Sequence, residues 1–307
     1  MKAPRGFDSV GKICRLIKSL YGLKQALVCW NEKFTSVIVK LGLRPLSGEK
    51  CIFISALKTL HEDKLLIIGI HVDDGFVLER KEGEWKKICD ELEKEFEMTK
   101  SENPKFFLGC QIEKSGDGLR IHRTNYVLEM LERFGMNEAK SVFTPIFASA
   151  DIVEREGKEL VSYPYREVMG SLLYLTTRTR PDLAYAVNVA SRRMKNPTDE
   201  DVTLVKRIFR YLKGTVGSEG EASRALGVTY RNDGRFVIDA YSDADFAGDL
   251  ESRKSTTGYV IFLNNCPIAW CSRKQSILAL SMTEAEFISA SECVRECIYV
   301  KGLIAEL

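Results

Sequence analysis

Asp73 and Asp74 stand side by side within an apolar, β-rich run, LLIIGIHVDDGFVL (65–78). Adjacent acids at a hairpin tip have no local counter-charge. Successive strand residues point to opposite faces, so both reach one ion only if the turn curls them around it. An Asp-Gly turn in water explains the same residues without a ligand, and spacing alone favours that explanation. A second group is Asp243 and Asp245, two apart on a strand and therefore on one face. Glu286 follows near the start of a long helical stretch, where Thr283-x-x-Glu286 is also the pattern of a capping box. What such acids offer is oxygen ligation of a hard cation.

Elements of known period must carry these groups. Ala26, Trp30, Phe34, Val37 and Leu41 recur at spacings of three and four and predict a helix over 19–41. A strand at 51–55 and a hairpin at 65–78, turning at Asp73-Asp74-Gly75, come next. Trp85, Ile88, Leu92 and Phe96 give a helix over 82–96. Residues 106–123 read as a second hairpin turning at Gly116-Asp117-Gly118, and 126–134 as a helix. Thr144-Pro145 opens a polar stretch to about residue 162. Residues 165–213 are mostly helical, with breaks at Arg180-Pro181 and Asn196-Pro197; 214–224 has linker composition. Strands near 236–246, 257–263 and 267–273 then precede one helix from Thr283 onward.

Composition narrows the class. The chain has 307 residues, 45% hydrophobic and 29% charged, enough for two soluble domains with sizeable cores. It contains no run of about 18 uncharged apolar residues, so no membrane span is expected. No apolar run follows the first basic residues, so no secretory signal is read there. Nine cysteines without a C-x-x-C pair, and only three histidines, favour buried free thiols over zinc and a reducing, intracellular setting. The net charge of +2 hides ten Lys/Arg against three acids in residues 1–50. A second basic cluster is Lys206, Arg207, Arg210 and Lys213. Both suit a phosphate backbone, and a solvated surface accounts for them equally well.

Several segments together resemble copia-type retrotransposon Pol polyproteins. GIHVDDGF resembles the family's YVDD box, SLYGLKQALVCW its SLYGLKQA segment and FFLGCQI its FLGxxI hairpin. RFGMNEAKSVFTP, YREVMGSLLYLTTRTRPDLAYAV, RIFRYLKGT, YSDADFAGD, RKSTTGYVIFL and LSMTEAEF follow in the family's order. Any one is weak, but nine in order over nearly the whole chain are specific. The resemblance implies an α+β chain: a partial right-hand polymerase palm and thumb (1–162), a helical connection and linker (163–224), and an RNase H-like domain (225–307).

By the same resemblance Asp73 and Asp74 hold Mg2+, in a two-metal arrangement with ions about 3.5–4 Å apart. Gly22, Lys24 and Gln25 lie along the template and incoming nucleotide, and Phe107, Leu108 and Gly109 grip the primer end. His71 stands where the family has Tyr and faces the primer–template. In the last domain Asp243 and Glu286 are the implied metal ligands, Asp245 being more often structural. The implied partners are an RNA or DNA template-primer, dNTPs and other Pol segments, in a cytoplasmic particle or the nucleus. The alternative is a non-catalytic nucleic-acid-binding remnant of a decayed element.

The family's further palm Asp is expected upstream of residue 1, and its further RNase H acids beyond residue 307. The same expectation leaves sheet edges open and the product sticky. Metal charge compensated by two carboxylates alone weakens the main electrostatic contribution to catalysis. Purified chain with Mg2+ on a primed RNA template is therefore expected to incorporate essentially no dNTP; robust primer extension would contradict this.

Overall fold

Residues 66–70 alternate in environment: Leu66 and Ile68 are buried, Ile67 and Gly69 less so. That period-two burial is the signature of a strand with one face on a core. In the computed structural model, residues 15–20, 22–55, 65–80, 83–116, 118–147, 162–217, 225–231, 236–249 and 251–307 are described. The chain divides into two compact units, Met1–Glu102 with Lys301–Leu307, and Asn103–Val300.

In the first unit, α1 (Lys24–Lys40) leads into an antiparallel sheet of β1 (Leu43–Pro45), β2 (Ile52–Ser55), β3 (Leu66–His71) and β4 (Asp74–Glu79), in that order. The helix α2 (Glu84–Glu95) follows. Phe34 and Ile38 of α1 and Leu92 of α2 join Leu43, Phe53, Leu66 and Ile68 in one core. Trp30 stacks on Phe34 with centroids 5.1 Å apart, and Phe34 meets Phe53 edge-on at 5.8 Å. Aromatic pairs of this kind add about 0.5–1.5 kcal/mol beyond burial.

The second unit opens with β5 (Phe106–Phe107), β6 (Cys110–Ser115) and β7 (Gly118–His122). Four helices come next: α3 (Thr124–Arg133), α4 (Tyr165–Thr176), α5 (Ala184–Ser191) and α6 (Asp199–Gly214). Their apolar faces share one core, including Leu131, Leu172, Val187 and Phe209. α6 starts at a capping box, Thr198 with Asp201, and carries Asp199, Glu200 and Asp201 in its first turn, where the helix dipole favours acids. Between α4 and α5 the buried Arg180 grips Asp182 through two nitrogens, at 2.9 and 2.7 Å.

Strand β8 (Val228–Arg231), which periodicity did not reveal, pairs with β7 and completes the sheet β5-β6-β7-β8. A meander of β9 (Ile238–Asp245), β10 (Thr256–Leu263) and β11 (Cys266–Lys274) follows, ordered β11-β10-β9, and then α7 (Met282–Glu306). The meander is fastened to the helices: Trp270 Nε1 donates to the Thr176 carbonyl at 2.8 Å and Arg192 to Thr256 Oγ1 at 2.8 Å. These ties and β8 explain why the domain breaks expected at 162/163 and 224/225 fall within one compact unit. Residues 148–161 and 218–224, which precede those breaks, lie outside the described residues. Helices and antiparallel strands mix in both units, as an α+β chain requires. Among the described residues no helix is long and apolar enough to cross a membrane.

Leu172 is fully buried at the centre of the four-helix core. Leu172→Ala should cost about 2–5 kcal/mol through lost burial and a residual cavity. A lowered midpoint in denaturant, followed by the helical circular-dichroism signal, checks this.

Candidate functional site

The β3–β4 register sets the acid pair. His71 faces Asp74, Ile70 faces Gly75, Gly69 faces Phe76 and Ile68 faces Val77. The turn is therefore Val72-Asp73, and Asp74 with Gly75 already belongs to β4, one step from the turn expected at Asp73-Asp74-Gly75. Packing explains the choice: this register places Val77 beside the buried Ile68. A Cβ on Gly75 would come 3.1 Å from Ile70 Cδ1, so the residue opposite Ile70 is suited to having no side chain. One consequence is strain. Val72 has φ 57°, a left-handed conformation that costs a β-branched residue about 1–3 kcal/mol.

His71 and Asp74 leave the sheet on the face shared with Ile67, Phe76 and Leu78, opposite the face bearing the core residues Leu66, Ile68 and Val77. His71, Asp73 and Asp74 are all exposed. In the same unit, Gly22 takes φ 89°, and Lys24 and Gln25 open α1 as exposed residues. The first turn of α1 has neither an acidic residue nor a side-chain cap; the Ala26 N–H donates to the Leu23 carbonyl, and the Lys24 and Gln25 N–H groups lead the helix.

In the second unit, Leu108 and Gly109 form a two-residue turn between the paired Phe107 and Cys110, with φ of 49° and 71°. Arg123, itself buried, donates to the Leu108 carbonyl at 2.7 Å and lies 4.1 Å from the Tyr174 ring centroid. A Cβ on Gly109 would meet Tyr174 Oη at 3.3 Å, so the tip is held closely.

Asp243 and Asp245 both line a cavity of about 530 Å³, walled also by Tyr185, Tyr241, Val260 and Trp270. Gly248 makes room for Asp245: a Cβ there would lie 1.9 Å from Asp245 Oδ2. Burial and the Asp245 charge push the Tyr185 hydroxyl up, so it stays a neutral donor. The helix α7 packs on the other face of the meander, where Gln275 Nε2 donates to Thr257 Oγ1 and to the Ala285 carbonyl. Ser289 donates to the carbonyls of Asp243 (2.7 Å) and Gly258 (3.1 Å). Glu286, exposed, lies on α7 one turn before Ser289, while Asp243 lines the cavity on the opposite face of the meander from α7. Glu286 is not the cap. Ser281 Oγ accepts from the Glu284 N–H, and Glu284 accepts from the Leu280 N–H. No group of three or more His, Cys, Asp or Glu gathers among the described residues.

The basic cluster on α6 is partly committed to structure. Arg210 donates to the Lys140 carbonyl at 2.7 Å and Arg207 to Thr144 Oγ1 at 2.8 Å. Lys2, Arg5 and Lys12 of the first basic cluster lie outside the described residues.

Residues 1–148 match the family described as reverse transcriptase (RNA-dependent DNA polymerase). The whole chain is 36% identical over 320 residues to the retrovirus-related Pol polyprotein from transposon TNT 1-94 of Nicotiana tabacum, covering 23% of that protein. It is 34% identical over 312 residues to the Pol polyprotein from transposon RE2 of Arabidopsis thaliana, covering 20%. The putative transposon Ty5-1 protein YCL074W of Saccharomyces cerevisiae is 28% identical over 302 residues, 96% of this chain and 94% of that one. The chain thus spans about a fifth of the length of the two Pol polyproteins. No solved structure matches it.

Asp249, four residues past Asp245, is not marked out by its spacing. It is buried, and its carboxylate accepts from the Ser252 N–H (3.2 Å), the Ser252 hydroxyl and Lys274 Nζ (2.9 Å), with Arg192 at 3.9 Å. Burial alone would raise its pKa; the Ser252 and Lys274 hydrogen bonds and the lysine charge outweigh burial and hold it at about 2. A folded pKa below the unfolded value of 3.8 means stability present above pH 4 and lost as pH falls through 2. The pH-dependent part should be about 2 kcal/mol. Denaturation midpoints of the chain and of Asp249→Asn should differ most at neutral pH and converge towards pH 2; a constant gap would refute the linkage.

Proposed function

This chain belongs to the copia-type retrotransposon Pol family, and from that membership we propose that it supplies metal- and template-binding surfaces of an RNA-directed DNA polymerase, followed by an RNase H-like domain. One observation carries the polymerase reading: Asp73 and Asp74 stand exposed at the tip of a packed hairpin, with His71 beside Asp74 on the open sheet face. Carboxylates are oxygen acceptors without competing donors, a donor set that fits Mg2+. When bound, Mg2+ contributes charge stabilisation at the reacting phosphate.

The protein's own groups do the positioning. Asp73 and Asp74 hold the cation, and His71 stacks on a sugar or base of the primer–template. The uncapped start of α1 at Lys24-Gln25, following Gly22, faces template and nucleotide phosphates with its free N–H groups. Phe107, Leu108 and Gly109, fixed by Arg123, bear on the primer end. In the meander, Asp243 and Glu286 form the second metal pair. β9 is the edge strand of its sheet among the described residues, so Asp243 on β9 and Glu286 on α7 can approach one another around the open edge. The expected substrates are a template-primer and dNTPs, with other Pol segments as partners, inside the cell.

Among the described residues each site offers two such acids, whereas a pair of Mg2+ ions brings four positive charges. The chain alone therefore binds nucleic acid with little turnover, and this same acid count favours the second reading, a non-catalytic nucleic-acid-binding module. Mn2+ serves as a paramagnetic stand-in. Titration followed by electron paramagnetic resonance should show Mn2+ bound by the chain and most of it lost in the double variant D73N/D74N. Identical Mn2+ binding by both proteins would remove the metal assignment at the hairpin.

A further inference from the structure

Phe143 is fully exposed, at 101% of its reference area, yet its backbone is fastened. The Val142 N–H donates to the Arg210 carbonyl at 3.4 Å, and Arg210 Nε donates to the Lys140 carbonyl at 2.7 Å. On the other side Arg207 donates to Thr144 Oγ1, and its guanidinium lies 3.9 Å from the Phe147 ring centroid. Ala139 and Ile146 pack on the four-helix core, so residues 139–147 are tied along α6 from both ends. Leaving a phenylalanine in water forgoes about 1.5–3 kcal/mol of burial. Here the tethered segment holds the ring out beside a row of cations.

Those cations are Lys140 on the segment and Lys206, Arg207, Arg210 and Lys213 on α6; Glu138 is the nearby acid in sequence. None of the five is ion-paired among the described residues. Lys206 and Lys213 are seven residues apart, about 10 Å along the helix at 1.5 Å per residue. A cationic track beside a presented aromatic ring is the physical recipe for unpaired nucleic acid, because every base has a face to stack and every nucleotide a phosphate to neutralise.

We propose that Phe143 with Lys140, Lys206 and Lys213 forms a single-stranded nucleic-acid contact, one base stacking on Phe143 while the lysines follow the backbone. This rests on the reading that the chain handles nucleic acid, and it adds a contact that uses none of the residues of either carboxylate group. Arg207 and Arg210 act as positioning residues, holding the segment while adding positive charge.

The test uses the full chain and a fluorescein-labelled oligouridine of about 12 nucleotides, within the range bound by single-strand grooves. Anisotropy is measured across a salt series. Phe143→Ala should weaken binding roughly ten-fold, the effect of losing one stacked base, and leave the salt slope unchanged. K206A/K213A should lower the slope by about 0.7 for each phosphate that is no longer neutralised. Phe143→Trp should restore binding, and the introduced indole should be quenched by the oligonucleotide. All three variants change exposed or half-buried side chains, so unchanged melting separates binding loss from unfolding. Undiminished affinity and slope in F143A and K206A/K213A overturn this proposal and leave the polymerase reading standing. Absence of any oligonucleotide binding by the unsubstituted chain overturns both. Phe143-dependent capture by anionic vesicles that exceeds binding to the oligonucleotide also overturns it.

Discussion

A single hairpin register governs the first unit. Pairing Ile68 with Val77 puts Leu66 and Ile68 into the core beneath the aromatic cluster of Phe34 and Phe53. A slip of one residue would turn every one of those side chains to the opposite face. The register leaves two residues for the turn, so Val72 must adopt φ 57° and Asp73 and Asp74 must stand in water. Core burial therefore fixes the acids' position and compensates the strained turn. The tip is exposed because the strands behind it have one satisfactory pairing.

The sequence made the period of elements plain wherever one face was buried. The spacing of Trp30, Phe34 and Val37 marked α1 because one buried face imposes a repeat on residue type, whereas β3 was marked by an unbroken apolar run whose alternation of burial only the structure shows. The turn at Val72-Asp73 was hidden because Asp-Gly is the commoner turn signal, and the deciding quantity is a cross-strand fit between Ile70 and Gly75. Strand β8 was hidden for a related reason. VTYR is too short to display a period, and its partner β7 lies about a hundred residues away. The cap of α7 lies two residues before the expected one, since Thr283-x-x-Glu286 and Ser281-x-x-Glu284 satisfy the same pattern and only the hydrogen bonds separate them. The acids themselves were legible as residues. The separation of Asp243, on the cavity face of the meander, from Glu286, on the helix that covers the other face, was not, because it depends on which face α7 covers.

Asp249 illustrates how charge is tolerated inside the second unit. A buried carboxylate without partners costs several kcal/mol, and removing one partner of a buried pair leaves the other charge uncompensated. Asp249 avoids this by drawing on three elements: Ser252 in the β9–β10 connection, Lys274 at the end of β11 and Arg192 just past α5. The same Arg192 donates to Thr256. One ionised group thus ties the meander's loop, its third strand and the helical core together. Gly248, immediately before it, makes room for the Asp245 carboxylate that lines the neighbouring cavity.

Charge is also segregated by element. Asp73 and Asp74 sit at a strand tip, Asp243 on a strand that is an edge among the described residues and Glu286 on an exposed helical turn, where water solvates them. The lysines and arginines lie along α6, whose apolar stripe of Val205, Ile208, Phe209 and Leu212 is spent on the core and whose outer face is free to carry like charges. Among the described residues no Lys or Arg lines the cavity holding Asp243 and Asp245, and Arg192, whose charge reaches Asp245, is already engaged with Asp249 and Thr256. A polyanion is therefore repelled at that cavity unless a cation intervenes, and attracted along α6 without one. This difference predicts opposite ionic dependences for the two surfaces: divalent cations should favour nucleic acid at the carboxylates, while any added salt should weaken it at Phe143 and its lysines.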